Sequence, residues 1–179
     1  MLVYEAVKSD FMTAVRNDTI ADDILDKFEE KLGHTTSQAE IRSWENSMQY
    51  MYKVLDDSNI PDDAGVAIEF NIPTTSKRID FMLSGFTKDN LPSVIIVDLK
   101  QWESAEKVEG MDNIVRTFVG KGNHEVTHPS YQAWSYASLL YDFNETVNED
   151  NIALYPCAYL HNYKKIENEP NWIVFIHKQ

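Results

Sequence analysis

The chain has 179 residues, 43% of them apolar, 12% aromatic and 25% charged. A chain of that length buries roughly 70% of the surface its unfolded form exposes, enough for one core and too little for two comfortable domains; disorder, collagen-like repeats and low complexity are excluded. Sixteen Lys and Arg against 29 Asp and Glu give a net charge of −13, which taken alone argues against a nucleic-acid partner, because phosphate binding needs a positive footprint.

No apolar run is long enough for a transmembrane helix. The start, Met1 to Glu5, lacks a basic segment followed by an apolar one, so no secretory signal is visible. Cys157 is the single cysteine, which excludes an internal disulfide and a zinc site of several cysteines. The expectation is a soluble cytoplasmic protein without a membrane partner. The charge is uneven: residues 1–63 hold 14 acids and 6 bases, and residues 64–100 hold 4 of each. The acidic N-terminal third is either a solvated face or a reservoir of carboxylates for a divalent metal.

In chain order, the spacing predicts helices over residues 4–16 and 19–32, the second stopped by Gly33. Ser37-Gln38-Ala39-Glu40 has the pattern of a capping box and opens a third helix with Ile41, Trp44, Met48, Met51, Tyr52 and Leu55 as its apolar stripe. After a polar loop containing Pro61 the character changes to strands, predicted at residues 66–70, 77–83 and 93–100. The unbroken Val94-Ile95-Ile96-Val97 run predicts a central strand buried on both faces. Residues 114–119 and 124–127 flank Gly120-Lys121-Gly122-Asn123 as a hairpin. Pro129 opens a helix to about Phe143, and strands follow at 152–160 and 172–176. Short turns make the three central strands an antiparallel meander, and the later helix permits a crossover. The expected fold is α/β: a mixed sheet with helices on both faces, an N-terminal helical segment over residues 1–36 and a core over 37–179, together one compact domain.

Alternation puts Asp98 and Lys100 on one face at the end of the central strand. Asp80, ending the neighbouring strand, lies beside Asp98. Two close carboxylates repel unless one is protonated or a cation bridges them. Mg²⁺ takes one or two carboxylates plus water and phosphate oxygens, and a lysine beside it can orient water and stabilise a pentavalent phosphorus. These residues suggest metal-assisted phosphodiester hydrolysis; an ordinary Asp–Lys ion pair is the plainer alternative.

The order of these elements resembles the PD-(D/E)XK nuclease superfamily, the restriction-endonuclease-like fold. Asp98-Leu99-Lys100 fits its second half-motif and Gln101 follows as a frequent companion, while Ile79-Asp80 departs from the Pro-Asp dipeptide. Gln132-Ala133-Trp134-Ser135-Tyr136 is similar to the Gln-x-x-x-Tyr motif of the RecB-like branch. Trp44-Glu45-Asn46-Ser47, Glu69, Lys77-Arg78, Trp102, His128-Pro129-Ser130-Tyr131 and Tyr159-Leu160-His161-Asn162 further resemble the nuclease-like region ahead of a P-loop helicase domain in some bacterial proteins.

The resemblance implies Mg²⁺ or Mn²⁺ on Asp80, Asp98 and the Leu99 carbonyl, with Lys100 orienting the attacking water. Gln132 would position water or phosphate, and Glu69 or Glu40 would complete the acids. Tyr136 and His128 are weaker candidates: Tyr136 has a core role available, and His128 a place at the helix start. Glu40 has the capping box as its plainer role, and Glu69 an ion pair with Arg78. The implied partner is nucleic acid, DNA before RNA, in repair or in defence against foreign DNA, with Lys107, Arg116 and Lys121 as weak backbone contacts. A catalytically silent binding module attached to a motor is the alternative. No Gly-x-x-x-x-Gly-Lys-(Ser/Thr) occurs, so no ATP hydrolysis is expected of these residues. The apolar end, Trp172 to Gln179, suggests a piece of a longer protein in which a helicase or ATPase domain follows.

Overall fold

The structure, a computed structural model, describes residues 1–164. In chain order its elements are β1 (Leu2–Val7), α1 (Lys8–Arg16), α2 (Ile20–Leu32), α3 (Gln38–Leu55), β2 (Gly65–Asn71), β3 (Arg78–Phe86), β4 (Pro92–Lys100), β5 (Glu106–Val108), β6 (Met111–Val119), β7 (Gly122–Thr127), α4 (Pro129–Phe143), α5 (Glu145–Glu149) and β8 (Ala153–Leu160). The strand predicted at 172–176 lies outside the described residues. No described helix is long and apolar enough to cross a membrane.

Local chemistry sets the helix ends. Ser37 caps α3 by accepting the Glu40 N–H at 3.2 Å. Gly33 ends α2 at φ +73°, a left-handed position that a side chain resists. Pro129 is the first residue of α4, and His128 caps it by accepting the Ser130 N–H.

Five strands form a mixed sheet in the order β1-β2-β3-β4-β8. The meander β2-β3-β4 is antiparallel and β8 joins β4 in parallel, as a crossover through α4 allows. The helix predicted from residue 4 is corrected at its start: Leu2–Val7 is a strand paired with β2, and helix begins at Lys8. The distant partner strand overrides a short local pattern that reads either way. A second, three-stranded sheet, β5-β6-β7, is inserted between β4 and α4.

Two cores sandwich the five-stranded sheet. On one face α1, α2 and α3 contribute Phe11, Ile24, Phe28, Trp44 and Met48 against Val3, Ile68, Phe81 and Val97. On the other, Tyr136, Ala137 and Leu140 of α4 pack on Ile72, Ile79 and Ile96. The first core mixes residues before and after position 37, so the N-terminal helices are part of the wall behind the sheet. The expectation that β4 is buried on both faces holds only towards its end. Ile96, Val97 and Asp98 are buried, whereas Ile95 is 39% exposed beside the exposed Tyr155 of β8.

Candidate functional site

The register of the sheet assembles the acids. Pairing of β3 with β4 runs from Phe86↔Pro92 to Phe81↔Val97. Carried one step further the register sets Asp80 against Asp98, beyond the last regular pair, and their charges act on each other. The Asp80 carboxylate takes over there, its Oδ2 accepting the Leu99 N–H at 2.8 Å. On the other side of β3, the pairs Ile68↔Phe81 and Phe70↔Ile79 flank Glu69 and Asp80. Glu69, Asp80 and Asp98 therefore occupy one row across three adjacent strands.

The sheet turns its faces over at that row. Ile68 and its partner Phe81 belong to the core under α1–α3, while Ile79 and its partner Phe70 pack in the core under α4. Strict alternation would keep residues two apart on one face. The break coincides with Glu69 at φ +59°, a left-handed conformation that a glutamate adopts at a cost of about 1–2 kcal/mol.

Asp98 is fully buried. Lys100 Nζ donates to Asp98 Oδ1 at 3.0 Å and lies 2.9 Å from Oδ2, at an angle that leaves Oδ2 without a hydrogen bond. Burial pushes the Asp98 carboxyl above its usual range; Lys100 opposes the shift and Asp80 adds to it. Asp80 is raised as well, by burial first, against the pull of Lys100, the Leu99 N–H and Arg78. The two carboxyls and one ammonium thus form a single electrostatic group.

Glu69 and Glu40 belong to a second group, built around Arg78. The Arg78 Nε meets Glu69 Oε2, and its Nη2 lies 2.5 Å from Glu40 Oε1. Trp44 Nε1 donates to Glu69 Oε1 at 2.8 Å, and the Thr36 hydroxyl donates to Glu40. Glu40 therefore spends its carboxylate on Thr36 and Arg78, with no bond returned to the Ser37 N–H as a capping box requires. Burial lifts the Glu69 carboxyl to about 7 despite Arg78 and Trp44. For Glu40 burial also pulls upward, but Thr36 and Arg78 together hold it below its ordinary value.

The two residues of the Gln-x-x-x-Tyr spacing meet on α4, with Gln132 Nε2 donating to Tyr136 Oη at 2.6 Å. Burial pushes the Tyr136 phenol to about 12; Gln132 counters this, and the charges of Asp98 and Asp80 add to it. Tyr136 thus stays a phenol within reach of the charges of Asp98 and Asp80. Gln132 and Tyr136 line a cleft of about 510 Å³ with Lys77 and Trp134. His128 is buried and holds the start of α4, its backbone N–H donating to Asn113 O at 2.8 Å. Of the three bases in the arm formed by β5, β6 and β7, Lys107 pairs with Asp112 and Arg116 with Glu125.

Sequence reasoning missed two features. One is a polar brace behind Lys100. Gln101 Nε2 donates to Ser43 Oγ at 2.8 Å, His161 Nε2 contacts Ser47 Oγ at 3.2 Å, and the His161 N–H donates to Lys100 O. Gln101 and His161 both sit in the stretches that carry the resemblance, which was a usable signal. The other is a second cleft of about 430 Å³ between α3 and β6, lined by Arg42, Trp102 and Phe118 as well as Lys100. Its helix side, Ala39, Arg42, Ser43 and Asn46, follows an i, i+3, i+4, i+7 stripe that periodicity could have revealed.

The acid group fits a divalent cation in a limited way. Two opposed carboxylates, one with a buried oxygen lacking a hydrogen bond, suit a hard cation that completes its shell with water. Among the described residues no three His, Cys, Asp or Glu side chains converge as a metal centre, so the protein would offer only Asp80, Asp98 and backbone oxygen. Family models, curated proteins and solved structures give no match to this chain.

Proposed function

We propose that the chain is a divalent-metal-dependent nuclease of the PD-(D/E)XK type with a restriction-endonuclease-like fold, acting on DNA in repair or in defence against foreign DNA. The observation that carries this reading is the opposition of Asp80 and Asp98 at the open end of the β3–β4 ladder, with Lys100 on the same group. Asp80 and Asp98, with the Leu99 carbonyl, would hold Mg²⁺ or Mn²⁺. A bound cation would polarise the phosphodiester and neutralise the charge that develops on it.

Lys100 has two roles available. With no phosphate present its ammonium compensates buried Asp98. When a phosphate enters, the same ammonium orients the attacking water and stabilises the charge developing on phosphorus oxygens. Tyr136, held protonated, and Gln132 would donate hydrogen bonds to phosphate or water. Glu69 and Arg78 would hold the row in place from the far side of β3.

A second reading is a silent nuclease-fold module for nucleic-acid or protein binding, attached to a helicase or ATPase domain. It is favoured by the pairing of Lys100 with Asp98, the arrangement of a plain ion pair, and by the −13 charge.

The test is cleavage of linear and circular, single- and double-stranded DNA in Mn²⁺ by wild type and Lys100→Ala. Metal-dependent cutting that disappears in the variant supports the nuclease. Absence of cutting on every substrate, with DNA still bound in Ca²⁺, replaces it by the silent module.

A further inference from the structure

The cleft between α3 and β6 has a composition unlike the rest of the chain. The protein carries 29 acids against 16 Lys and Arg, yet this cleft is lined by Arg42 and Lys100 and by no carboxylate. Arg42 is exposed and makes no ion pair with any described residue. In an acidic protein an arginine left unpaired beside a concave surface is a ready anion contact, and its planar fork suits a phosphate.

Two aromatic rings face the same space. Phe118 is 61% exposed, on a strand whose neighbouring Thr117 is buried. Trp102 lies just past the end of β4 and is half-buried. A large ring held on a strand with most of its surface in water contributes little to the fold, but it offers a flat face to a base. Every base has a π-face, so such stacking is tolerant of sequence. In a paired duplex those faces are already covered by neighbouring bases.

We propose that this cleft binds an unpaired polynucleotide strand, with bases stacked on Phe118 and Trp102 and a phosphate on Arg42, and leads it to Lys100. The inference rests on the nuclease reading for its last step and names the form of substrate that reading leaves open. Lys100 is the residue the two share, part of the cleft lining and the partner of Asp98 through its ammonium. The brace of Gln101 on Ser43 and His161 on Ser47 ties α3 to the residues that follow β4 and β8, on the α3 side of the cleft.

The test measures binding apart from cleavage. Anisotropy of labelled twelve-nucleotide oligo-dT, oligo-rU and a mixed-sequence duplex is followed in Ca²⁺ with the full 179-residue chain. Wild type is expected to bind a single strand about tenfold or more tighter than the duplex, and Phe118→Ala to lose about tenfold on the single strand alone. Arg42→Ala should weaken binding and reduce the logarithmic salt slope by about 0.7, one phosphate contact on a single strand. An oligo-dT with abasic sites should bind wild type as weakly as intact oligo-dT binds Phe118→Ala. Preference for oligo-dT or oligo-rU identifies the sugar; binding of neither overturns the proposal, as does equal binding of duplex and single strand or an unchanged Phe118→Ala. The same samples in Mn²⁺ separate the two readings. Binding lost in Phe118→Ala with no cutting by wild type removes the nuclease and keeps the cleft. Cutting by wild type with binding indifferent to Phe118 and Arg42 removes the cleft and keeps the nuclease.

Discussion

Two cations on neighbouring strands hold acids that are largely out of water, and they do it differently. Arg78 joins Glu40 and Glu69, and each of those carboxylates has a second, neutral donor: Thr36 for Glu40 and Trp44 for Glu69. Three elements, α3 with the residue before its cap, β2 and β3, are tied together, and the guanidinium is committed. Lys100 holds Asp98, which has no other hydrogen-bond donor among the described residues, and Asp80 beside it has the Leu99 N–H. The first group is cross-linked by several donors, although Glu69 Oε2 meets Arg78 without a hydrogen bond. The second is held by a single ammonium that a bound cation could release. A buried carboxylate left with so little support is costly as a purely structural device, and the contrast is why chemistry is assigned to the Lys100 group.

The comparison breaks if the two cations behave alike. Lys100→Met should reduce Mn²⁺-dependent cleavage by about 100-fold or more, read as initial rates on plasmid and oligonucleotide. Its thermal midpoint in the absence of metal should fall only slightly, because the Asp98 carboxyl is already raised by burial and takes up a proton when its partner is removed. A large stability loss with unchanged cleavage would turn the Lys100 group into another structural clasp.

Arg78→Met should show the reverse emphasis. Removing the guanidinium strips two carboxylates of their shared partner, one of them buried. Loss of one side of a buried pair costs about 3–5 kcal/mol; the partial exposure of Glu40 and the proton that Glu69 readily accepts place the expectation at about 3 kcal/mol. Urea unfolding measures it. A change within error would mean that Trp44 and Thr36 hold the acids without Arg78.

The raised Glu69 carboxyl gives a pH signature with a definite sign. Its folded-state value is about 7 against 4.5 for an ordinary glutamate. The folded state therefore binds the extra proton between those values. Stability from this group is fully present below about 4.5 and is lost as pH rises through about 7. The thermal midpoint should be higher at pH 5.5 than at pH 8, and Glu69→Gln should flatten that slope. The Trp44 indole N–H donates to the same carboxylate, so its NMR resonance should titrate with a midpoint near 7. An indole resonance that does not move over pH 5–8 would mean Glu69 stays charged throughout.

How much of this was legible in the sequence depends on how local each cause is. The helix ends at Ser37, Gly33 and Pro129 are set by single residues, and the meander by its short turns, so both could be read directly. Asp80, Asp98 and Lys100 could be placed together because strand alternation and neighbouring turns fix their rows. β1 was hidden because Leu2–Val7 runs without a break into a helix, and only its pairing with β2 decides the matter. The reversal of faces at Glu69 was hidden too, since a glutamate at positive φ has no local sequence signature. The cleft draws on α3, the end of β4 and β6, three segments separated in the chain and joined only by the tertiary fold.

The smallest expected effect lies in the arm. Arg116 and Glu125 form an ion pair across β6 and β7 that resembles the Arg78 clasp on paper, with its Nη2 at 2.6 Å from Oε1. Both side chains are about half exposed, at 49% and 47%, so water competes for each charge and salt screens the pair. Geometry alone would rank it with Arg78; burial ranks it far below. Arg116→Ala should leave the urea midpoint unchanged within error and, because Glu125 already occupies the guanidinium, should leave oligo-dT binding at moderate salt within about twofold of wild type. Arg42, exposed and without an ion pair among the described residues, is the cation expected to matter there. If Arg116→Ala weakened single-strand binding as much as Arg42→Ala, the strand would have to run along the arm as well as through the cleft, and the division between committed and available cations would fail at its most exposed member.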